Sequence, residues 1–319
     1  MPRIPSHDQG PAGPALARVL GKIGDDKLLP VLTEGLTGAD LAPLLAEVLR
    51  SRAGRVTAAE TLRGYHDHGF DTSQETPFRT LRRAEDLMLD TLPPDFEVLS
   101  LAPTVPLGAH ALAGIDQSRV VSTIRGSEVS ADTTIGLALA AAGRRNALRT
   151  KDVRLAAVQR VTRVAHPGGR AITAHFPMLG MVSAGRQSAG RTFERDHVVQ
   201  HLRFVTDTLR AAGSGVITVR LDPLTSWAGP LIDHVSSVLR ADPAIRVTSD
   251  GTRPEGTQPY YAGFSYKVFT EFGGEPMEVA DGGLVDWARK LLSDRKELML
   301  VTGFGVQRLA MVRQHAIVH

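Results

Sequence analysis

The segment VTGFGVQRLAMV, from Val301 to Val312, sets one arginine, Arg308, among apolar residues. Leu298 to Val301 are all apolar, Gly303 and Gly305 flank Phe304, and Leu309, Met311 and Val312 resume the apolar pattern. Two readings of Arg308 are open. Its stem can lie along apolar surface with the guanidinium in water. Alternatively the guanidinium, planar and always charged, is held at a site to meet an anion. Glycines beside it would let the backbone pass close to a ligand. A helix starting there would add partial positive charge. The second reading predicts that Arg308 is turned to the buried side of its helix.

Other chemical signals are weak or fail. There is no phosphate-binding G-x-x-x-x-G-K-[ST] and no G-x-G-x-x-G between a strand and a helix. GMVSAG (180–185) resembles a nucleophile elbow, but Met181 stands where a glycine is required before Ser183. His66-Asp67-His68 and the i, i+4 pair His197/His201 have spacings that can share a metal. A solvated helix end accounts for the first, the second lacks a companion ligand motif, and no metal site is expected.

The elements that would carry these residues follow from periodicity. Residues 1–14 are Pro/Gly-rich and read as a disordered tail. Residues 15–75 read as a small N-terminal helical segment. In it Leu41, Leu44, Leu45, Val48 and Leu49 share one helical face, and Thr57 to Glu60 form a capping box. Residues 76–319 read as the main domain. Helices are expected over 77–93, 133–145, 197–212, 230–242 and 284–294. Strands are expected over 96–103, 119–125, 153–165, 171–184, 215–223, 244–250, 266–272 and 297–305, the last leading into a final helix. His166-Pro167-Gly168-Gly169 should turn one long hairpin. Strands occur in adjacent pairs as well as alternating with helices. The expected class is therefore α+β, a mostly antiparallel sheet flanked by helices.

Composition narrows the function classes. In 319 residues, 42% hydrophobic and 22% charged, the chain is ordinary globular protein. No apolar run approaches the length of a membrane span, and the N-terminus lacks the apolar core of a signal peptide. Cysteine is absent, which removes disulfides and thiolate zinc sites and fits a cytoplasmic location. A net charge of +3 and a pI near 9.4 admit an anionic ligand such as a nucleotide. Aromatics at 5% argue against a base-stacking nucleic-acid platform.

Three separated stretches, in order, resemble the signature motifs of class II aminoacyl-tRNA synthetases, and most the histidyl-tRNA synthetase catalytic core. SEVSADTTIGLALAAA (127–142) places Asp132 and Thr134 on the acidic-x-Thr positions that hold the amino acid's ammonium group, with Asp where the family has Glu. RLAAVQRVTRVAHPGG…HFPMLG is similar to the motif 2 hairpin. Arg163 then falls on the arginine that contacts the α-phosphate of ATP, and Phe176 on the aromatic that stacks on adenine. Ala165 replaces an acidic residue there, and Met178 replaces a glutamine that helps bind histidine. GFGVQRL is similar to motif 3, with Arg308 on the arginine that contacts the γ-phosphate side and Gln307 in place of Glu. YYAGFSYKVFTEF and ADGGLVDW resemble, loosely, the histidine-binding stretch, with Tyr266 in it, and a Gly-rich turn. Ala262 aligns with a catalytic arginine of the family. The resemblance spans roughly residues 76 to 313.

The resemblance implies ATP with Mg2+ as ligand and formation of an acyl adenylate. Two fixed guanidiniums stabilise charge building on the triphosphate, Phe176 offers adenine a flat apolar partner, and Asp132 pairs with an ammonium. It implies Arg163 and Arg308 as catalytic residues, Arg163, Phe176 and Arg308 as the ATP site, and Asp132, Thr134, Met178 and Tyr266 as the substrate site. Singly, each residue has a plain structural reading: solvated strand arginine, core Phe, helix-capping Asp. Met178 leaves an imidazole N–H without a partner, so a side chain less polar than histidine is expected. The chain ends soon after the third motif, so an anticodon-binding domain and tRNA are not expected. Two functions remain. One is tRNA-independent adenylation of a small amino acid or carboxylic acid, with a protein or carrier as acceptor. The other is a non-catalytic regulatory or ligand-binding subunit, as the ATP phosphoribosyltransferase regulatory subunit resembles histidyl-tRNA synthetase. The helix and strand over 80–103 correspond to the family's two-fold interface, which implies a homodimer.

Overall fold

The computed structural model describes residues 13–67, 76–147, 152–164, 174–249 and 260–318. The expected tail lies outside them except for Gly13 and Pro14, as does the 166–169 turn. The chain divides into two units, Met1–Thr57 with Ile124–Gly126, and Ala58–Thr123 with Ser127–His319.

In the first unit, α1 (Pro14–Ile23) opens on a proline, whose fixed φ and missing N–H suit a first turn. It stops at Gly24, whose φ of 69° is the left-handed conformation glycine adopts without penalty. The three-residue α2 (Leu28–Pro30) runs into a π turn, Val31–Gly35, and α3 spans Gly38–Ala53. Thr37 caps α3 by accepting from the Asp40 amide at 3.2 Å. The apolar stripe of α3 is present but not buried: Leu44, Val48 and Leu49 are 44%, 47% and 51% exposed. Periodicity shows which face can be buried, not that anything covers it.

The second unit begins with α4 (Ala58–Asp67), so the helical segment expected over 15–75 is shared between the units. Then come α5 (Phe78–Asp90), β1 (Glu97–Val98), β2 (Thr104–Pro106), α6 (Ala109–Leu112), β3 (Ser127–Val129) and α7 (Thr133–Ala147). The long hairpin β4 (Val153–Thr162) and β5 (His175–Arg186) follows, then α8 (Thr192–Ala211), β6 (Ile217–Pro223), α9 (Gly229–Leu239) and β7 (Ile245–Thr248). The unit closes with β8 (Phe264–Phe272), β9 (Glu275–Val285), α10 (Trp287–Leu292), β10 (Glu297–Gly305) and α11 (Val306–Val318). Eight strands form one sheet in the order β1-β4-β5-β10-β9-β8-β6-β7. Its internal pairs are antiparallel, and only the outermost pairs, β1/β4 and β6/β7, are parallel. The α+β class with a large antiparallel sheet is therefore the observed one.

Because side chains alternate across a sheet, each strand serves two cores. Leu179 and Met181 of β5 and Leu298, Leu300 and Phe304 of β10 pack with α8, α9 and α11. Val182, Ala184, Met299 and Val301 pack on the other face with α7 and α10. Met178, Asp281, Gly303 and Gly305 fall on this second face. No helix among the described residues is long and apolar enough to cross a membrane.

Three expectations need correction. The strand expected over 96–103 pairs only at Glu97–Val98. RVVSTIR holds a 3-10 turn ending at Arg119 and a single bridge from Ser122 to Glu128, and the strand lies instead at Ser127–Val129. The ADGG segment is not a turn but part of β9, between β8 and β10. A Cβ at Gly282 would stand 2.5 Å from the Tyr266 hydroxyl and one at Gly283 2.6 Å from the Phe264 carbonyl. These glycines make room for tyrosine and backbone inside the sheet. The real turn is Gly273-Gly274, with φ of 61° and 82°.

Candidate active site

The site is built around the start of α7. The buried His110 accepts from the Ala131 amide at Nε2 (2.9 Å), while its Nδ1 lies 2.5 Å from Glu128 Oε2. An amide can only donate, so Nε2 presents its lone pair and the proton lies on Nδ1. Burial works to raise the Glu128 carboxyl. Hydrogen bonds from His110 and from the Gly108 and His110 amides outweigh it and hold the group below its ordinary range. This buried pair fixes the Ala131 backbone, and with it Asp132.

Asp132 caps α7. Its Oδ1 accepts from the Thr134 amide (2.9 Å) and hydroxyl (2.7 Å). Its Oδ2 accepts from Tyr260 (3.2 Å) and from the Arg163 guanidinium (3.4 Å). Arg163 also donates through Nε to the Ala131 carbonyl (2.8 Å), and its guanidinium lies 5.1 Å over the ring of Phe176. The expected residues Asp132, Thr134, Arg163 and Phe176 thus form one connected group.

Two adjoining cavities open from this group. The first, of about 260 Å3, is lined by Asp132, Thr134, Tyr260, Tyr261, Arg119 and Ile115 among others. The second, of about 570 Å3, is lined by Phe176, Met277, Glu278, Gln307, Arg308 and Met311 among others. Arg163, Met178, Asp281 and Gly303 line both and mark their junction.

Arg308 shares the second cavity with Arg163 and Phe176, but it is exposed, not turned to the buried side as expected. Leu309 and Ala310 take the inward face of α11. Arg308 is steadied at the cleft wall by donating to the Glu278 carbonyl. Gln307, at the family's Glu position, turns its amide to Thr76 at 2.9 Å. Tyr266, expected in the substrate site, lines neither cavity. It faces the opposite side of the sheet, fully buried, with its hydroxyl 2.5 Å from Thr302. Alternation along β8 puts Lys267, not Tyr266, on the cavity side.

Three site residues were not singled out in the sequence: Tyr260 and Tyr261, which open the stretch likened to the histidine-binding segment, and Asp281. Tyr261 donates to Asp281 Oδ2 at 2.7 Å. Burial pushes the Asp281 carboxyl above its ordinary range. The Tyr261 hydrogen bond opposes this, and the charges of Glu278 and Asp132 add to it. Burial likewise raises both tyrosines, with Asp132 the next cause at Tyr260 and Asp281 at Tyr261. The available signal was a lone carboxylate inside an apolar strand pattern. It was lost because the segment was read as a turn. With a carboxylate and two phenols at its wall, the pocket is more polar than the substitution at Met178 alone suggested.

The remaining signals are structural. His201 spends both ring nitrogens on the Ser183 (2.9 Å) and Thr302 (2.6 Å) hydroxyls inside the core. His197 bonds to the Phe193 carbonyl (2.8 Å). Ser183 is buried in mid-strand. His68 and the side chain of Asp67 lie outside the described residues, as does Ala165. Among the described residues no group of three or more candidate ligands is placed to hold a metal ion.

No family model matches the chain, and no curated protein matches it. Solved structures do. An ATP phosphoribosyltransferase regulatory subunit/histidyl-tRNA synthetase from Bacillus halodurans is 13% identical, with a TM-score of 0.58 over 76% of this chain and 82% of that one. A histidine–tRNA ligase subunit from Alicyclobacillus acidocaldarius gives 13% and 0.56 over 77% and 96%. Apo histidyl-tRNA synthetase from S. aureus gives 13% and 0.57 over 77% and 69%. At such identity the likeness concerns the fold, and the fold of this chain is that of the class II aminoacyl-tRNA synthetase-like proteins.

Proposed function

We propose that the second unit binds ATP with Mg2+ and activates a small amino acid or carboxylic acid as its adenylate, a half-reaction that needs no tRNA. One observation carries the reading: two adjoining cavities share Arg163, with an acid-sized pocket at Asp132 on one side and Phe176 and Arg308 on the other. The substrate carboxylate attacks the α-phosphorus in line, its oxygen forming the new P–O bond as the bond to pyrophosphate breaks. Arg163 at the junction neutralises charge on the α-phosphoryl oxygens, and Arg308 meets the far end of the triphosphate. Phe176 offers its ring to adenine. Glu278, on the nucleotide side of the cleft, supplies hard oxygen donors for Mg2+ carried on the nucleotide. The test is ATP–pyrophosphate exchange screened across amino acids and simple carboxylic acids. Exchange with one or a few is the expected result. No exchange, together with no Mg2+-ATP binding at millimolar concentration, rejects it.

A second reading, a non-catalytic ligand-binding subunit, is favoured by the closure of Arg163 onto Asp132. It draws further support from the Bacillus halodurans neighbour, whose name includes a regulatory subunit. It expects amino-acid binding by calorimetry without pyrophosphate exchange.

A further inference from the structure

Asp132 is the position where the ammonium group of a substrate is expected, yet its oxygens are occupied. Four donors reach them: the amide and hydroxyl of Thr134, the Tyr260 hydroxyl and the Arg163 guanidinium. An ammonium arriving there would have to displace a partner.

Asp281 is arranged differently. Oδ2 accepts from Tyr261, while no described residue donates to Oδ1. Lys267, its cross-strand neighbour on the same face, has its Nζ 2.6 Å from Glu278 Oε2. Oδ1 faces open space above Gly303. A Cβ built at that glycine would stand 3.7 Å from Oδ1 and 3.4 Å from Met178 Sδ, so a ligand atom over Gly303 touches the carboxylate. Asp281 also lies with Arg163 at the junction of the two cavities. An acid being activated must point its carboxylate at that junction. Its α-amino group, one carbon away, falls in the same place.

We propose that Asp281, rather than Asp132, is the counter-ion of the substrate's α-ammonium group, so that the substrate is an amino acid and not a simple carboxylic acid. This rests on the adenylation reading for its substrate and deepens it. It gives Gly303 a purpose, since any side chain there would cover Oδ1. It also leaves Asp132 to hold α7 and Arg163 in place. Glu278, Asp132, Lys267 and Tyr261 are the other titratable groups around Asp281.

The test compares wild type, Asp281→Asn and Asp132→Asn. The probes are the amino acid selected by the exchange screen and the same molecule with hydrogen in place of its amino group. Each is read by pyrophosphate exchange and by calorimetric titration without nucleotide. Wild type should prefer the amino acid by about a hundredfold. Asp281→Asn should erase most of that preference while Mg2+-ATP affinity holds. Full preference retained in Asp281→Asn overturns the proposal, as does its loss only in a folded Asp132→Asn. If Asp281→Asn does not fold, Gly303→Ala covers Oδ1 without removing it and should cause the same loss. Should exchange be absent, the titration still decides: binding of an amino acid that Asp281→Asn abolishes keeps this inference while adenylation falls. No amino-acid binding by wild type at millimolar concentration overturns it.

Discussion

Asp132 and Arg163 approach to 3.4 Å at the mouth of the first cavity, so the cation proposed for the α-phosphate is already paired. An incoming phosphate must compete with a carboxylate for one guanidinium. Arg163→Ala should therefore weaken Mg2+-ATP binding by about tenfold to a hundredfold, the worth of a charge-assisted bond. Asp132→Asn should act in the opposite direction and tighten ATP binding severalfold. Asparagine preserves the helix cap and releases the guanidinium. Fluorescence or calorimetric titration of both variants checks this, and equal weakening in both would remove the competition argument.

Arg308 is exposed at the cleft wall. Its expected contribution is a bond of about 1.5–3 kcal/mol to a phosphate, reduced where water competes. Arg308→Ala should raise the ATP dissociation constant by about tenfold or more at unchanged melting temperature, because no packing is lost. Arg308→Lys should recover only part of that, since an ammonium cannot make the forked contact. Unchanged affinity in Arg308→Ala would return the residue to its plain reading, an arginine spread over surface.

How far the sequence could be read depended on which interactions define each element. The hairpin β4–β5, helix α7 and the β10–α11 turn have strong local periodicity, and the resemblance that rests on them named Asp132, Thr134, Arg163, Phe176 and Arg308, which line the two adjoining cavities. β9 failed because its glycines look like a turn when taken alone. Only the tertiary neighbours Tyr266 and Tyr261 explain why side chains are forbidden there. Tyr266 was misplaced for a related reason: a one-residue change of register reverses the face of a strand. Asp281 was hidden by both errors. The exposed stripe of α3 shows the complementary limit, where a correct helix pattern did not foretell its burial.

Assembly is open to direct measurement. The second unit exposes Val98 at 50% within the 80–103 segment that the resemblance assigns to a two-fold interface, and Phe78 at 76% and Leu107 at 60% on either side of it in sequence. A homodimer is expected by light scattering at micromolar concentration, with Phe78→Asp shifting it toward monomer. A wild-type monomer under those conditions rejects the expectation.

Arg145 and Glu297 form a bidentate pair at 2.9 and 2.8 Å joining α7 to β10, with both side chains almost fully buried. Arg186 adds a third member, 3.4 Å from Glu297 and 2.9 Å from Asp294. Breaking such a pair from one side leaves a charge stranded and costs about 3–5 kcal/mol. Glu297→Ala should therefore lower stability by that order in urea denaturation. The double variant Arg145→Met with Glu297→Leu should recover a large part of it, because no charge remains buried. Additive losses in the double variant would contradict the coupling.

Asp281 links function to the pH dependence of stability. Burial raises its carboxyl above the ordinary value of 3.8, so the folded chain retains a proton that the unfolded chain has released. Protons favour the folded state in that window. The stability tied to this group is complete below the unfolded value and falls as pH rises through the folded one. Asparagine has the same shape and no charge to desolvate. The ligand-free Asp281→Asn protein should therefore melt higher than wild type at neutral pH, and the gap should close as pH is lowered toward 3.8. Saturating wild type with its amino acid should narrow the same gap from the other side, because an ammonium beside the carboxylate removes the penalty of ionising it. Melting curves from pH 4 to 8, with and without amino acid, measure both effects. A gap independent of pH would mean that Asp281 is not strained by its burial. A gap that ignores the amino acid would mean that no cation comes to rest beside it.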